Sequence, residues 1–99
     1  MNHEQTITNL IHLMNKVCQL KEAGVNVTHE ECPTDLSWVW RNQDTGRTVD
    51  TVKLSRMKAI VQFKQTDPRI KYLIAFVAGG DALAARDAIN KLGKLKAFW

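Results

Sequence analysis

Ile7, Leu10, Ile11, Met14, Val17 and Cys18 recur at intervals of three and four, the stripe of an amphipathic helix. The spacing predicts a helix over 4–23. Gly24 can adopt the left-handed conformation that commonly ends a helix, with Val25 folded back on Leu20 in a Schellman cap. No periodicity survives between Asn26 and Pro33, and Pro33 disfavours helix at Cys32, so this stretch reads as a connecting loop. Leu36, Trp38 and Trp40 then alternate with Ser37, Val39 and Arg41, the period of a strand with one apolar face. Turn formers at Asn42 to Gly46 and β-branched residues from Arg47 to Val52 complete a β-hairpin over 36–52.

Helical spacing returns with Leu54, Met57, Ile60 and Val61, which predicts a helix over 55–65 with Ser55 as its cap. Asp67-Pro68 is a helix opening: the carboxylate accepts an amide bond, and the proline occupies a position where its missing donor costs nothing. Ile70, Leu73, Ile74 and Val77 continue at helical spacing, and Gly79-Gly80-Asp81 fits a helix stop followed by a new cap. Helices over 69–78 and 81–97 follow. A rival reading takes Ile70 to Val77 as a buried strand feeding a glycine loop, because a short apolar run fits either period. The expected class is α+β, mainly α with a short β-hairpin, as a single small domain with about four helices. A chain of 99 residues supports one core and not two.

Charge changes the picture more than composition does. Residues 1–52 carry four Lys or Arg against seven Asp or Glu, a net −3, whereas residues 53–99 carry ten against three, a net +7. Such asymmetry points the C-terminal half toward an acidic surface, either nucleic acid or a protein patch. The candidate partner-binding residues are Lys53, Arg56, Lys58, Lys64, Arg69, Lys71, Lys91, Lys94 and Lys96, with Phe98 and Trp99 at the terminus. That aromatic pair either docks on its own domain or awaits a partner. Trp38 and Trp40, sharing one face of the hairpin, read as core.

The longest apolar run, Tyr72 to Ala78, falls far short of the roughly 20 residues that span a bilayer. The first residues lack the pattern of a secretion signal, so the chain reads as cytoplasmic, with Cys18 and Cys32 as free thiols. His12, Cys18, His29 and Cys32 are the candidate soft metal set, and their spacing matches no zinc module. Cys18 fits the apolar stripe and His29 a polar loop. The glycine pair lacks the Lys and Ser or Thr of a phosphate-binding loop, and no nucleophile is accompanied by a base and an orienting group. The expectation is a binding protein and not an enzyme, without metal or cofactor.

Helix 4–23, the Trp38/Trp40 hairpin, the isolated Asp67-Pro68 and the basic helical second half together resemble the small Abc-type anti-RecBCD accessory proteins of lambdoid phages, the second member of that pair. The resemblance covers essentially the whole chain in length and character. It implies a non-enzymatic protein of the host cytoplasm that binds the host RecBCD helicase-nuclease, chiefly the RecC subunit, and alters its processing of DNA ends in favour of phage recombination. It also implies a host prolyl isomerase as accessory partner, recognising Asp67 and Pro68. On residues alone, the alternative is a small basic DNA-binding regulatory protein, with DNA contacted directly or through the larger enzyme.

Overall fold

The computed structural model describes residues 3–96, with side chains described as far as Leu92. Its elements are α1 (His3–Glu22), β1 (Val27–Cys32), β2 (Ser37–Asn42), β3 (Thr48–Lys53), α2 (Leu54–Val61), α3 (Arg69–Gly79) and α4 (Ala82–Lys96). The strands form an antiparallel meander in the order β1-β2-β3. The chain is thus α+β and mainly helical, as a small single domain.

The apolar stripe of α1 supplies one wall of a single core. Ile7, Leu10, Met14, Val17 and Cys18 meet Trp40 and Val52 from the sheet, Met57 and Ile60 from α2, and Ile70, Leu73, Phe76 and Val77 from α3. Ala82 and Ala85 of α4 close the cluster, small enough for that helix to lie close against its neighbours. The Schellman cap forms as the residues dictate. Gly24 sits at φ +86°; its N–H donates to the Lys21 carbonyl at 3.0 Å and the Val25 N–H to Leu20 at 2.9 Å.

The segment expected to be a loop, 26–33, is instead strand β1. It pairs with β2 from Val27↔Asn42 to Cys32↔Ser37. His29 lies opposite the buried Trp40 and is itself half-buried, while Glu31, opposite Trp38, is exposed. A polar residue at an inward position erases the alternation that marks a strand, while the partner strand supplies the ordering that the local sequence does not. Leu36 also departs from expectation: it is not an inward strand residue but the last residue of the turn between β1 and β2, at φ +51° and 61% exposed.

The β2–β3 turn is held by the Asn42 side chain, whose Oδ1 accepts the Asp44 and Thr45 amides at 3.0 and 3.3 Å. A bulge at Val49 shifts the register between Trp40↔Asp50 and Arg41↔Thr48. Ser55 does not cap α2. The strand runs straight into the helix, and the Leu54 N–H donates to the Leu36 carbonyl at 2.8 Å, a tertiary acceptor in place of a side-chain cap. The α-helix stops at Val61 and not near 65. Successive three-residue turns follow, with Phe63 bonded to Ile60, Lys64 to Val61 and Thr66 to Phe63. The Phe63 ring stacks on His3 with centroids 3.9 Å apart.

Residues 70–77 are helical, which removes the strand alternative. Asp67 opens α3 by accepting the Arg69 amide at 3.0 Å, and the Asp67–Pro68 bond is trans. Gly80 terminates the helix at φ +79°, and Asp81 caps α4 by accepting the Ala84 amide at 3.0 Å. Asp81→Ala should lower stability by about 1 kcal/mol through this lost cap, read as a fall in the urea midpoint with an unchanged slope.

Candidate partner-docking surface

An apolar groove of about 180 Å³ opens where the end of β2 meets α2 and α3. Trp38 forms its floor, Leu54, Met57, Lys58 and Val61 one wall, and Ile74, Val77 and Ala78 the other. Trp38 is half-buried while Trp40, two residues on, is fully buried, so the pair expected to be core divides between core and groove. Val61 is 47% exposed, and Leu36 lies close by through its carbonyl bond to Leu54.

Apolar side chains held open to solvent in this way cost free energy, and Leu36 adds the strain of a branched residue at positive φ, on the order of 1–2 kcal/mol. A half-exposed indole lining one groove with the exposed Val61 is the kind of surface that gains most from burying Trp with its apolar neighbours. The groove offers no chemistry of its own. Among the described residues no three His, Cys, Asp or Glu side chains converge on a common point.

The four soft ligands considered in the sequence lie apart. Cys18 is buried on α1, where burial pushes its thiol above the ordinary value. Cys32 sits at the end of β1 beside Thr34 and Asp35. His12 is exposed on α1. His29 is not in a polar loop: its Nε2–H donates to the Val77 carbonyl at 2.6 Å, and its ring tilts against Trp40 with centroids 4.9 Å apart. The imidazole thereby satisfies one of the carbonyls left open at the C-terminal end of α3.

The cations of the second half are spread over several surfaces. Lys58 reaches the groove, and Lys71 lies on α3 with its ammonium 5.8 Å from the Tyr72 ring centroid. Lys53 at the end of β3, Lys64 after α2 and Lys91 on α4 are exposed. Arg69 is engaged by Asp67 at 2.6 Å, a hydrogen bond that holds its guanidinium above the usual range. Arg56 points away from the groove, into a cleft shared with α1. Lys94 and Lys96 belong to α4 with their side chains outside the described residues, and Phe98 and Trp99 lie outside them altogether. Pro68 is exposed and Asp67 half-buried at the start of α3.

Sequence reasoning missed the groove because Trp38 and Trp40 share a strand period. The exposed Leu36 and Val61 had no local signal, since each fits an apolar pattern. Within the described residues no helix is long and apolar enough to cross a membrane. Comparison with protein families, with curated proteins and with solved structures finds no match to this chain.

Proposed function

We propose that the chain is a phage-encoded, non-catalytic modulator that binds the host RecBCD helicase-nuclease through its RecC subunit and redirects DNA-end processing toward phage recombination. The observation that supports a protein-docking role most directly is the groove lined by Trp38, with the exposed Val61 and Lys58 in its wall. Apolar anchors fill such a groove, while the positive potential of the second half steers an acidic partner surface toward it. A host prolyl isomerase is the second partner on this reading, with exposed Pro68 and the adjoining Asp67 as its recognition point.

Purified RecBCD immobilised on a biosensor tests the reading. The parent chain should bind it and reduce its degradation of linear duplex DNA. Val61→Glu, which places a carboxylate in the apolar wall without touching the core, should weaken binding at least tenfold while leaving the thermal melt unchanged. Absence of binding by the folded parent removes RecBCD as the partner; equal binding by Val61→Glu moves the interface away from the groove.

A further inference from the structure

On the face of α2 turned away from the groove one cleft opens, and a second adjoins it at Lys16. The first, about 340 Å³ between α1, β3 and α2, presents Asn9, His12, Lys16 and Arg56, with Asp50 on its wall. The second, about 610 Å³ between α1 and the β2–β3 hairpin, presents Lys16, Arg47, Asn42 and Thr48. Lys16 lines both clefts, so they adjoin, and together their linings follow α1 from Asn9 to Leu20 as a trough. At 1.5 Å per residue this is about 16 Å long. The helical period places Arg56 about 100–160° round α2 from each of Leu54, Met57, Lys58 and Val61, so the trough and the groove use different faces of one helix.

The charges gathered here come from parts of the chain that have no common sequence signal. Residues 1–52 carry a net −3, yet two of their four basic side chains, Lys16 and Arg47, line this trough and are joined by Arg56 from the basic half. None of these three side chains forms an ion pair or hydrogen bond among the described residues, whereas Arg41, Arg69 and Arg86 each face a carboxylate. Lys16 and Arg47 are exposed and Arg56 is half-buried. Asp50 is the single carboxylate in either lining, and its Oδ1 is already occupied by the Thr51 amide at 2.7 Å. Three unpaired cations against one carboxylate, with amide, imidazole and hydroxyl groups alongside the aliphatic Leu10, Leu13, Leu20, Val49 and Val52, make an elongated anion-binding surface and not a pocket for one small anion.

We infer that this trough binds the phosphodiester backbone of a DNA strand. Its three cations match about three phosphates of one extended strand. No Phe, Tyr or Trp lines either cleft, and His12 is the single ring there, so bases have no extended stacking platform and binding is largely independent of sequence. The site stands apart from the groove and does not depend on the identity of the protein partner.

Fluorescence anisotropy of the purified chain with labelled oligothymidine, across a range of salt, reads the site directly. Binding in the range of about 1–100 μM at low salt is expected, with log affinity falling against log salt with a slope of about −2 for three single-strand phosphate contacts. In Lys16→Ala/Arg47→Ala the slope should shrink by about 1.4 and low-salt affinity should drop about tenfold or more. The charge-preserving Lys16→Arg/Arg47→Lys should retain binding, which separates lost contacts from lost folding. Lys21→Ala/Lys64→Ala, with the same change in net charge, should lose no more than about twofold. The inference is overturned by absence of binding in the parent, by an equal loss in the Lys21/Lys64 variant, or by equally tight binding of poly-glutamate of matched charge.

Discussion

Urea denaturation of Trp40→Ala is expected to show a loss of about 3–5 kcal/mol, enough to leave a domain of this size partly unfolded at room temperature. Trp40 is fully buried, stacked on Phe76 with centroids 5.1 Å apart and tilted against His29 at 4.9 Å. Removing the indole leaves a cavity between β2 and α3 that helix and strand can collapse into only by giving up their own contacts. Trp40→Phe is the informative comparison. The indole N–H is buried without an acceptor among the described residues, so this change removes an unsatisfied donor along with the volume. Its cost should be well under half that of the alanine variant. A Phe variant as unstable as Ala would mean that the N–H is bonded in solution.

The second large effect belongs to a residue with no side chain. Gly80→Ala should destabilise by about 2–4 kcal/mol, because two costs coincide there. The backbone is at φ +79°, and an added Cβ would lie 2.7 Å from His29 Cγ and 2.8 Å from Nδ1. The ring can move aside only by releasing the Val77 carbonyl that it caps at 2.6 Å and loosening its contact with Trp40. Gly24→Ala provides the internal reference. Gly24 has φ +86° but nothing within 4 Å of the added atom, so only the conformational cost of about 1 kcal/mol remains. Equal losses in the two variants, measured by urea midpoints, would show that the contact with His29 contributes nothing.

His29 also explains where the sequence was legible and where it was not. The stripe of α1, its Gly24 cap, the Asp67 opening of α3 and the Asp81 cap of α4 depend on residues within a few positions of one another, and all four could be read from local pattern. The Trp38/Trp40 hairpin was legible for the same reason. β1 was not, because its inward residue His29 is chosen for contacts 11 and 48 positions away, with Trp40 and Val77. Ser55 failed as a cap for a related reason, since the acceptor for the first amide of α2 is a carbonyl in a distant turn.

The two binding surfaces divide in the same way. Cations in the second half were visible as a charge count, but their separation by α2 into opposite faces requires the helix to be placed. Asn9, His12 and Lys16 did carry a weak signal, a polar row at spacings of three and four along α1. What could not be read was that Arg47 and Arg56, from the hairpin and from α2, would extend that row.

The order of the small sheet has a bearing on self-association. Both outer strands leave half of their backbone groups unpaired, the usual invitation for a second chain to add a strand. Each margin carries a deterrent. β1 bears adjacent Glu30 and Glu31 and ends against Pro33, so a like copy approaching along it would bring four carboxylates together. β3 is interrupted by the bulge at Val49 and bears Asp50 and Lys53 beyond it. Strand-to-strand growth is opposed at both margins, which favours side-chain surfaces over the ladder of backbone amides for any contact with another chain.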